Sequence, residues 1–153
     1  MNVMAKIPAP NGTAPDISKR IDGYDWQALA DELDAHGNAV IERLLSPEEC
    51  GGLAALYPHE EHFRSHVVMA RHGFGKGEYR YFSYPLPGLI GELRTTLYAR
   101  LAPVANRWNE RMSDKTRYPE NHQDYLRICH EAGQQRPTPL LLQYGPGDFN
   151  ALH

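Results

Sequence analysis

The segment from Leu140 to His153 constrains the fold most, because it joins a strand, a turn and a second extended stretch. Leu140 to Tyr144 is a short aliphatic run that ends on an aromatic residue, which is typical of a buried β-strand. Gly145-Pro146-Gly147-Asp148 has the composition of a tight turn, and Phe149 to His153 continues in extended form. The fold therefore includes a β-sheet, and the rest of the chain has to supply its other strands and a covering layer.

The residues before this segment predict that covering layer to be helical. Apolar residues recur every three or four positions in several stretches, which indicates amphipathic helices. The predicted helices are 24–37, ended by Gly37; 47–57, opened by the capping signal Ser46-Pro47-Glu48-Glu49; 89–112; and 119–133. In the last of these, Tyr125, Ile128 and Cys129 are expected to point inward. Pro103 lacks an N–H group and is expected to kink or divide the long third helix.

Three further stretches predict strands. Ala39 to Leu45 is rich in aliphatic residues and is expected to be extended. His66 to Ala70 and Glu78 to Tyr84 alternate in polarity, and the glycine-rich run 73–77 between them permits a turn. The second pair therefore predicts a β-hairpin, and the fold class is α+β.

Composition places the chain among cytoplasmic proteins. Two cysteines without a Cys-x-x-Cys pair argue against a disulfide scaffold, and no apolar run reaches the length needed to cross a membrane. The formal charge of −3 neither indicates nor excludes nucleic acid as a partner. Residues 1–21 are rich in proline and small residues and are expected to form a mobile tail, with one domain spanning 22–153.

Tyr144, Pro146-Gly147 and His153 together resemble the segment that leads into the metal-binding motif of the iron(II)- and 2-oxoglutarate-dependent oxygenases. The wider chain, from about Trp26 to His153, is similar to a bacterial branch of that superfamily described as nucleic-acid oxygenases. Its most distinctive stretches are 37–50, 71–82 and 136–153. The resemblance implies N-terminal helices packed on a double-stranded β-helix, or jelly roll, of which only the first strands are present.

The same resemblance implies the chemistry. His153 would be the first iron ligand, and Tyr144 would hydrogen-bond 2-oxoglutarate. A non-haem iron site uses two histidines and a carboxylate on one face, and leaves positions for 2-oxoglutarate and dioxygen. Related DNA-repair enzymes carry an asparagine two positions before this tyrosine, where this chain has Leu142. The remaining ligands are expected beyond residue 153, so this chain by itself is predicted to be inactive.

The branch further implies oxidative demethylation of damaged DNA in the complete protein. Arg71, Lys76 and Arg80 alternate with aromatic residues, a mixture that suits phosphate contacts and base stacking. Packing of the same hairpin is the competing interpretation of that stretch. Two other functions stay open, namely hydroxylation of a protein or small molecule by the same chemistry, and a non-catalytic fragment or binding module.

Two other motifs are interpreted as structural. His59, His62 and His66 form a histidine-rich cluster with Glu60 and Glu61, but the run His59-Glu60-Glu61-His62 does not have the i, i+4 histidine spacing of a helical zinc site, so a polar loop is expected there. The run Gly73-x-Gly75-x-Gly77 lacks the helix and the Lys-Ser/Thr ending of a phosphate-binding loop, and it is expected to be a turn.

Overall fold

The computed structural model describes residues 16–152. The helices in that range are α1 (Ile17–Asp22), α2 (Trp26–His36), α3 (Pro47–Ala55), α4 (Gly88–Arg111) and α5 (His122–Glu131). The strands are β1 (Phe63–Val68), β2 (Gly75–Lys76), β3 (Glu78–Phe82), β4 (Leu140–Gln143) and β5 (Phe149–Asn150). Two short 3₁₀ helices, Glu60–His62 and Met69–His72, precede and follow β1. The fold class is α+β, as predicted.

The strands form two small antiparallel sheets. β3 is the central strand of the larger sheet, between β1 and β4, with Val67 opposite Tyr79 and Tyr79 opposite Leu142. Successive side chains of a strand point to opposite faces, so these three residues share one face. β2 pairs with β5 in the smaller sheet. The predicted hairpin and the predicted strand from Leu140 are both confirmed.

The other face of the larger sheet carries the aromatic core. Phe82 is fully buried, and its ring stacks on Phe63 with 4.8 Å between centroids. Tyr57, just past α3, lies 6.1 Å from Phe63 and is also buried. Helix α3 precedes Tyr57 in the chain. It is capped by Ser46 and has a capping box with Glu49, as the sequence predicts.

The predicted mobile tail is wrong for residues 16–21. Residues 1–15 lie outside the described part of the chain, but Asp16 caps α1 by accepting the N–H of Ser18 at 3.0 Å. Ile17 and Ile21 are buried, and the Trp26 indole donates to the carbonyl of Ile21. A short amphipathic helix becomes stable here because it contributes two isoleucines to the core, which its polar composition concealed.

Arg20 links α1 to α3. Its guanidinium donates to both carboxylate oxygens of Glu49, at 2.6 and 2.8 Å, and to the carbonyl of Leu44 at 2.8 Å. Glu49 also accepts the backbone N–H of Ser46 at 2.8 Å. The pKa of Glu49 is lowered, first by the hydrogen bond from Arg20 and then by that from Ser46. One bidentate ion pair therefore holds the two helices together.

The strand predicted over Ala39 to Leu45 does not form. Val40 is 72% exposed, and Arg43 has a positive φ of 55°, which interrupts an extended run. No strand within residues 16–152 pairs with this stretch. Aliphatic residues favour a strand only where a partner strand is at hand, and here the carbonyl of Leu44 is instead bonded to Arg20.

The long helix α4 runs through Pro103 without division. Ala102 and Val104, on either side of the proline, are buried, so tertiary packing offsets the hydrogen bond that proline cannot donate. Asp34 of α2 accepts from Trp108 and Arg111 and ties α2 to the end of α4. The helix can therefore continue past a residue that would break it in isolation.

Helix α5 begins later than the sequence suggests, because Asn121 and not Pro119 caps it. Tyr125 stacks on Tyr98 of α4 with 5.3 Å between ring centroids, as an inward residue should. Ile128 is exposed, which contradicts the expectation that it points inward. None of the helices in residues 16–152 combines the length and the apolar character required to span a bilayer.

Candidate functional site

The candidate site is an open groove on the face of the larger sheet that carries Tyr79. The groove has a volume of about 350 Å³ and is lined by Met69, Phe74, Tyr79, Leu140, Leu142 and Asn150. Its walls are apolar, and the side-chain amide of Asn150 has no hydrogen-bond partner among the described residues. Apolar walls with one orienting polar group are typical of a small-molecule site.

Gly75 lets β5 close one end of this groove. A Cβ atom at Gly75 would collide with the carbonyl oxygen of Phe149 and would lie 2.9 Å from the nitrogen of Ala151. The backbone there has a φ of +124°, which favours glycine. The N–H of Ala151 donates to the carbonyl of Phe74 at 2.8 Å. Part of the predicted turn over 73–77 is therefore strand β2, which pairs with β5.

Gly77 likewise leaves room for a neighbour, the ring of Tyr144. A Cβ atom at Gly77 would lie 2.7 Å from Cδ1 and 2.9 Å from Cε1 of the tyrosine ring. Tyr144 is 45% exposed, and its hydroxyl has no hydrogen-bond partner within residues 16–152. By strand alternation it follows Leu142 on the groove side of β4. A free phenol at the end of a groove is available to bind an anionic or carbonyl-bearing ligand.

The segment between β4 and β5 forms the turn that the sequence predicts. The N–H of Asp148 donates to the carbonyl of Gly145 at 3.0 Å, and Gly147 has a φ of +79° after Pro146. These are the features of a type II turn. Asp148 in return accepts the N–H of Gly145 at 2.8 Å, and this bond is the first cause of the lowered pKa of Asp148. The turn directs the chain from β4, at the edge of the larger sheet, to β5, whose Asn150 lines the groove.

Arg71, Lys76 and Arg80 do not share one surface. Arg71 is exposed in the 3₁₀ helix after β1 and makes no ion pair among the described residues. Lys76 is 61% exposed, and its ammonium group lies 3.2 Å from Asp148. Phe74, between them in sequence, is 45% exposed and stacks on His72. Two of the three basic residues are therefore exposed, and they precede and follow in sequence the groove residue Phe74.

Arg80 lies on the opposite face of the sheet. Its side chain is only 12% exposed and lies over the rings of Tyr57 and Phe63, 5.1 and 5.9 Å from their centroids. Glu60 pairs with it at 3.7 Å. The Nε atom is buried and has no hydrogen-bond partner in the described part of the chain, residues 16–152. The competing interpretation of hairpin packing therefore describes Arg80, because strand alternation points it away from its two predicted companions.

The predicted iron ligand, His153, lies outside the described residues. Within residues 16–152 no group of three or more histidine, cysteine, aspartate or glutamate side chains is placed to hold a metal ion. In the histidine-rich stretch, His66 pairs with Glu78 at 2.8 Å and His59 with Glu61 at 3.5 Å. Asn150 and Met69 were not singled out from the sequence. Strand alternation after the Pro-Gly turn is the signal that could have identified Asn150.

Comparison with known proteins gives a family match and two relatives. Residues 77–153 match the model of a family named Oxygenase-NA and described as "Oxygenase, catalysing oxidative methylation of damaged DNA". Two Mycobacterium tuberculosis proteins, "Uncharacterized protein MT2286" and "Uncharacterized protein Rv2227", are each 42% identical over 72 residues, or 47% of this chain and 31% of each relative. The chain thus spans about a third of the length of these relatives. No solved structure matches it.

Proposed function

Because this chain belongs to the Oxygenase-NA family, we propose that it is part of an iron(II)- and 2-oxoglutarate-dependent dioxygenase that demethylates damaged DNA. The groove beside Tyr144 is the observation that carries the proposal. Its walls are apolar, the hydroxyl of Tyr144 has no hydrogen-bond partner within residues 16–152, and His153 follows β5 closely in sequence. Those are the features required by a cosubstrate and a substrate that share one metal.

The chemistry of an oxygenase favours removal of a methyl group over its addition. Adding a methyl group requires a methyl donor, whereas inserting an oxygen atom into an N-methyl C–H bond gives a hydroxymethyl group. That group leaves as formaldehyde and restores the N–H. Both oxygen atoms come from dioxygen, and the second one enters succinate as 2-oxoglutarate loses carbon dioxide. Bound iron and 2-oxoglutarate supply this oxidation, and the protein supplies the site.

The residues of this chain fit a supporting role toward those groups. Tyr144 presents an unpartnered hydroxyl that can donate to an oxygen of 2-oxoglutarate, and Gly77 fixes the position of its ring. We assign the first metal ligand to His153 and the remaining ligands to residues outside 16–152, because that range contains no ligand cluster. The complete oxygenase, meaning this chain together with the rest of the ligand set, is therefore the protein to assay.

We assign the groove to the damaged base. Enzymes that act on a base remove it from the helical stack and hold it between aromatic or apolar side chains. Phe74, Tyr79 and Leu142 provide such walls, and the amide of Asn150 can pair with a base edge. We assign the contacts with the neighbouring phosphates to Arg71 and Lys76, which are exposed close in sequence to the groove residue Phe74.

The jelly roll belongs to the same proposal. β4 is an edge strand, and within residues 16–152 its outer edge has no partner. An open edge is usually covered in a finished protein. We infer that the larger sheet is one wall of the jelly roll and that a later strand of the complete oxygenase pairs with β4.

Replacing Tyr144 by phenylalanine tests the cosubstrate assignment. In the complete oxygenase, Tyr144→Phe is expected to raise the KM for 2-oxoglutarate about tenfold, equivalent to ~1.4 kcal/mol for one lost hydrogen bond. The KM for DNA should stay unchanged. The control is Tyr24→Phe, which removes a hydroxyl that donates to Glu42 in the helical layer. An unchanged KM for 2-oxoglutarate in Tyr144→Phe refutes the assignment.

The DNA surface is tested through its salt dependence. Replacing Arg71 and Lys76 by alanine should lower the slope of log K against log salt by roughly 0.7 per lost contact with single-stranded DNA. Lys115→Ala with Arg117→Ala removes the same charge from the loop after α4 and should leave the slope as it is. Arg80→Met should change stability and not the slope. If the Arg71 and Lys76 variant keeps the wild-type slope, these residues do not contact DNA.

A further inference from the structure

A second cavity lies at the far end of the larger sheet, between α4, α5 and the segments that flank β3 and β4. Its volume is about 200 Å³, and its walls include Arg94, Arg136, Tyr84, Thr138, His130 and Gln134. Tyr84 follows β3 and Thr138 precedes β4, whereas Gly77 and Tyr144 are at the opposite ends of these strands. The cavity is therefore separate from the end of the sheet where Gly77 and Tyr144 lie, by roughly 17 Å for five residues of strand.

The charge of this cavity is one-sided. Both of its arginines lack a carboxylate partner within residues 16–152, and neither aspartate nor glutamate is among its lining residues. The other arginines of the helical layer are matched, as Arg20 is by Glu49, Arg100 by Asp22 and Arg127 by Asp124 and Glu131. Arg94 is held in place by a single 2.9 Å hydrogen bond to the hydroxyl of Tyr84. Two unpaired guanidinium groups in one cavity attract an anion.

The neighbouring groups add donors without adding negative charge. The Tyr84 hydroxyl accepts from Arg94, so its own proton is free to point into the cavity. Thr138, Gln134 and His130 can donate as well. Behind the cavity, His122 is buried, and its pKa is lowered first by burial and then by the charge of Arg94. The positive charge at neutral pH is thus concentrated on the two arginines.

From this arrangement we propose that the cavity binds a phosphate group. Guanidinium groups match the oxygens of phosphate with paired hydrogen bonds, and the hydroxyls of Thr138 and Tyr84, which also line the cavity, are further donors. The phosphate can belong to the DNA backbone or to a small phosphate compound. The DNA source rests on the proposed function, whereas the phosphate site itself does not, because it requires neither iron nor 2-oxoglutarate.

The test uses the 153-residue chain with Arg94 and Arg136 both replaced by glutamine. The matched control is Arg127→Gln, which removes an α5 charge that already has two carboxylate partners. Binding of inorganic phosphate is followed by NMR shifts of the backbone amides of Thr138 and Gln134. Binding of a single-stranded oligonucleotide is followed by fluorescence anisotropy as salt is raised. A far-ultraviolet circular dichroism spectrum verifies that each variant is folded. If the double glutamine variant does not fold, the variant Arg94→Lys with Arg136→Lys replaces it, because it keeps both charges while removing the guanidinium groups.

The wild-type chain and the control should show phosphate-dependent shifts that saturate, and the double glutamine variant should lose affinity at least tenfold. If the phosphate comes from DNA, the double variant also lowers the salt slope by roughly 0.7, the value of one single-strand contact. If it comes from a small compound, free phosphate binds but the slope for DNA is unchanged. The proposal is overturned if the double variant and the control bind phosphate and DNA equally. A failed demethylation assay with intact phosphate binding would refute the proposed reaction alone.

Discussion

At the residue scale, Gly75 and Gly77 allow β5 and Tyr144 to approach the backbone closely. The sequence predicted a turn from the spacing of these glycines. It did not predict that the backbone of β5 lies against Gly75 and the ring of Tyr144 against Gly77, because both contacts involve residues distant in sequence. The capping box at Ser46 and Glu49 was predictable, since a cap involves only neighbours in sequence. Interactions between neighbours in sequence can be predicted from one sequence, whereas the close approach of distant segments cannot.

Gly75→Ala is therefore expected to lower the free energy of unfolding by about 1–3 kcal/mol, because the new Cβ meets the backbone of β5 at a positive φ. Gly91→Ala is the control, since a Cβ there meets nothing within 4 Å and the position is helical. The control should be neutral or up to about 1 kcal/mol more stable. Urea unfolding measures both, and equal effects would contradict the proposed contact.

The Arg20–Glu49 pair gives a pH dependence with a definite sign. The folded-state pKa of Glu49 is lowered by Arg20, so the stability from this pair is present above the unfolded-state pKa of ~4.3 and is lost as pH falls through the folded value. Glu49→Gln should be less stable at neutral pH and lose less stability below pH ~4.3. Glu32→Gln, exposed on α2, should follow the wild type. Parallel curves for wild type and Glu49→Gln would exclude the pair as a cause.

At the scale of elements, the prediction of helices and strands succeeded where a segment has both a pattern and a partner. β4 and the hairpin of β1 and β3 have both. The stretch 39–45 has the pattern without a partner strand, and α1 has too short a pattern to be noticed before its isoleucines are seen in the core. Tertiary packing decided these two cases, and a single sequence does not display it.

The turn before β5 gives a prediction at the same scale. Asp148→Ala removes the acceptor of the Gly145 N–H and the partner of Lys76, so β5 should detach from β2 more often. The amide of Ala151, which donates to Phe74, is then expected to exchange its hydrogen about tenfold faster. Asp114→Ala removes a comparable turn contact, to the N–H of Thr116, far from β5 and serves as control. Unchanged exchange at Ala151 would show that the turn does not hold the strand.

At the scale of the whole molecule, the sequence located the informative segment and the family, and the structure added the ligand-sized spaces. The family match covers residues 77–153, which include the groove strands β3, β4 and β5. The groove itself could not be predicted, because it is formed by residues as distant in sequence as Met69 and Asn150. Contact of Arg71 and Lys76 with DNA stays a prediction, whereas Arg80 packs on the opposite face of the sheet.

The most direct measurement of the account is the release of formaldehyde from an N-methylated single-stranded oligonucleotide by the complete oxygenase. We expect one formaldehyde for each succinate formed above the substrate-free rate, with release abolished when iron(II) or 2-oxoglutarate is omitted and in His153→Ala. Substrate-free formation of succinate should also disappear in His153→Ala but persist in the Arg71 and Lys76 variant. Formaldehyde release that continues without 2-oxoglutarate, or succinate formation that methylated DNA does not stimulate, would contradict the proposed function.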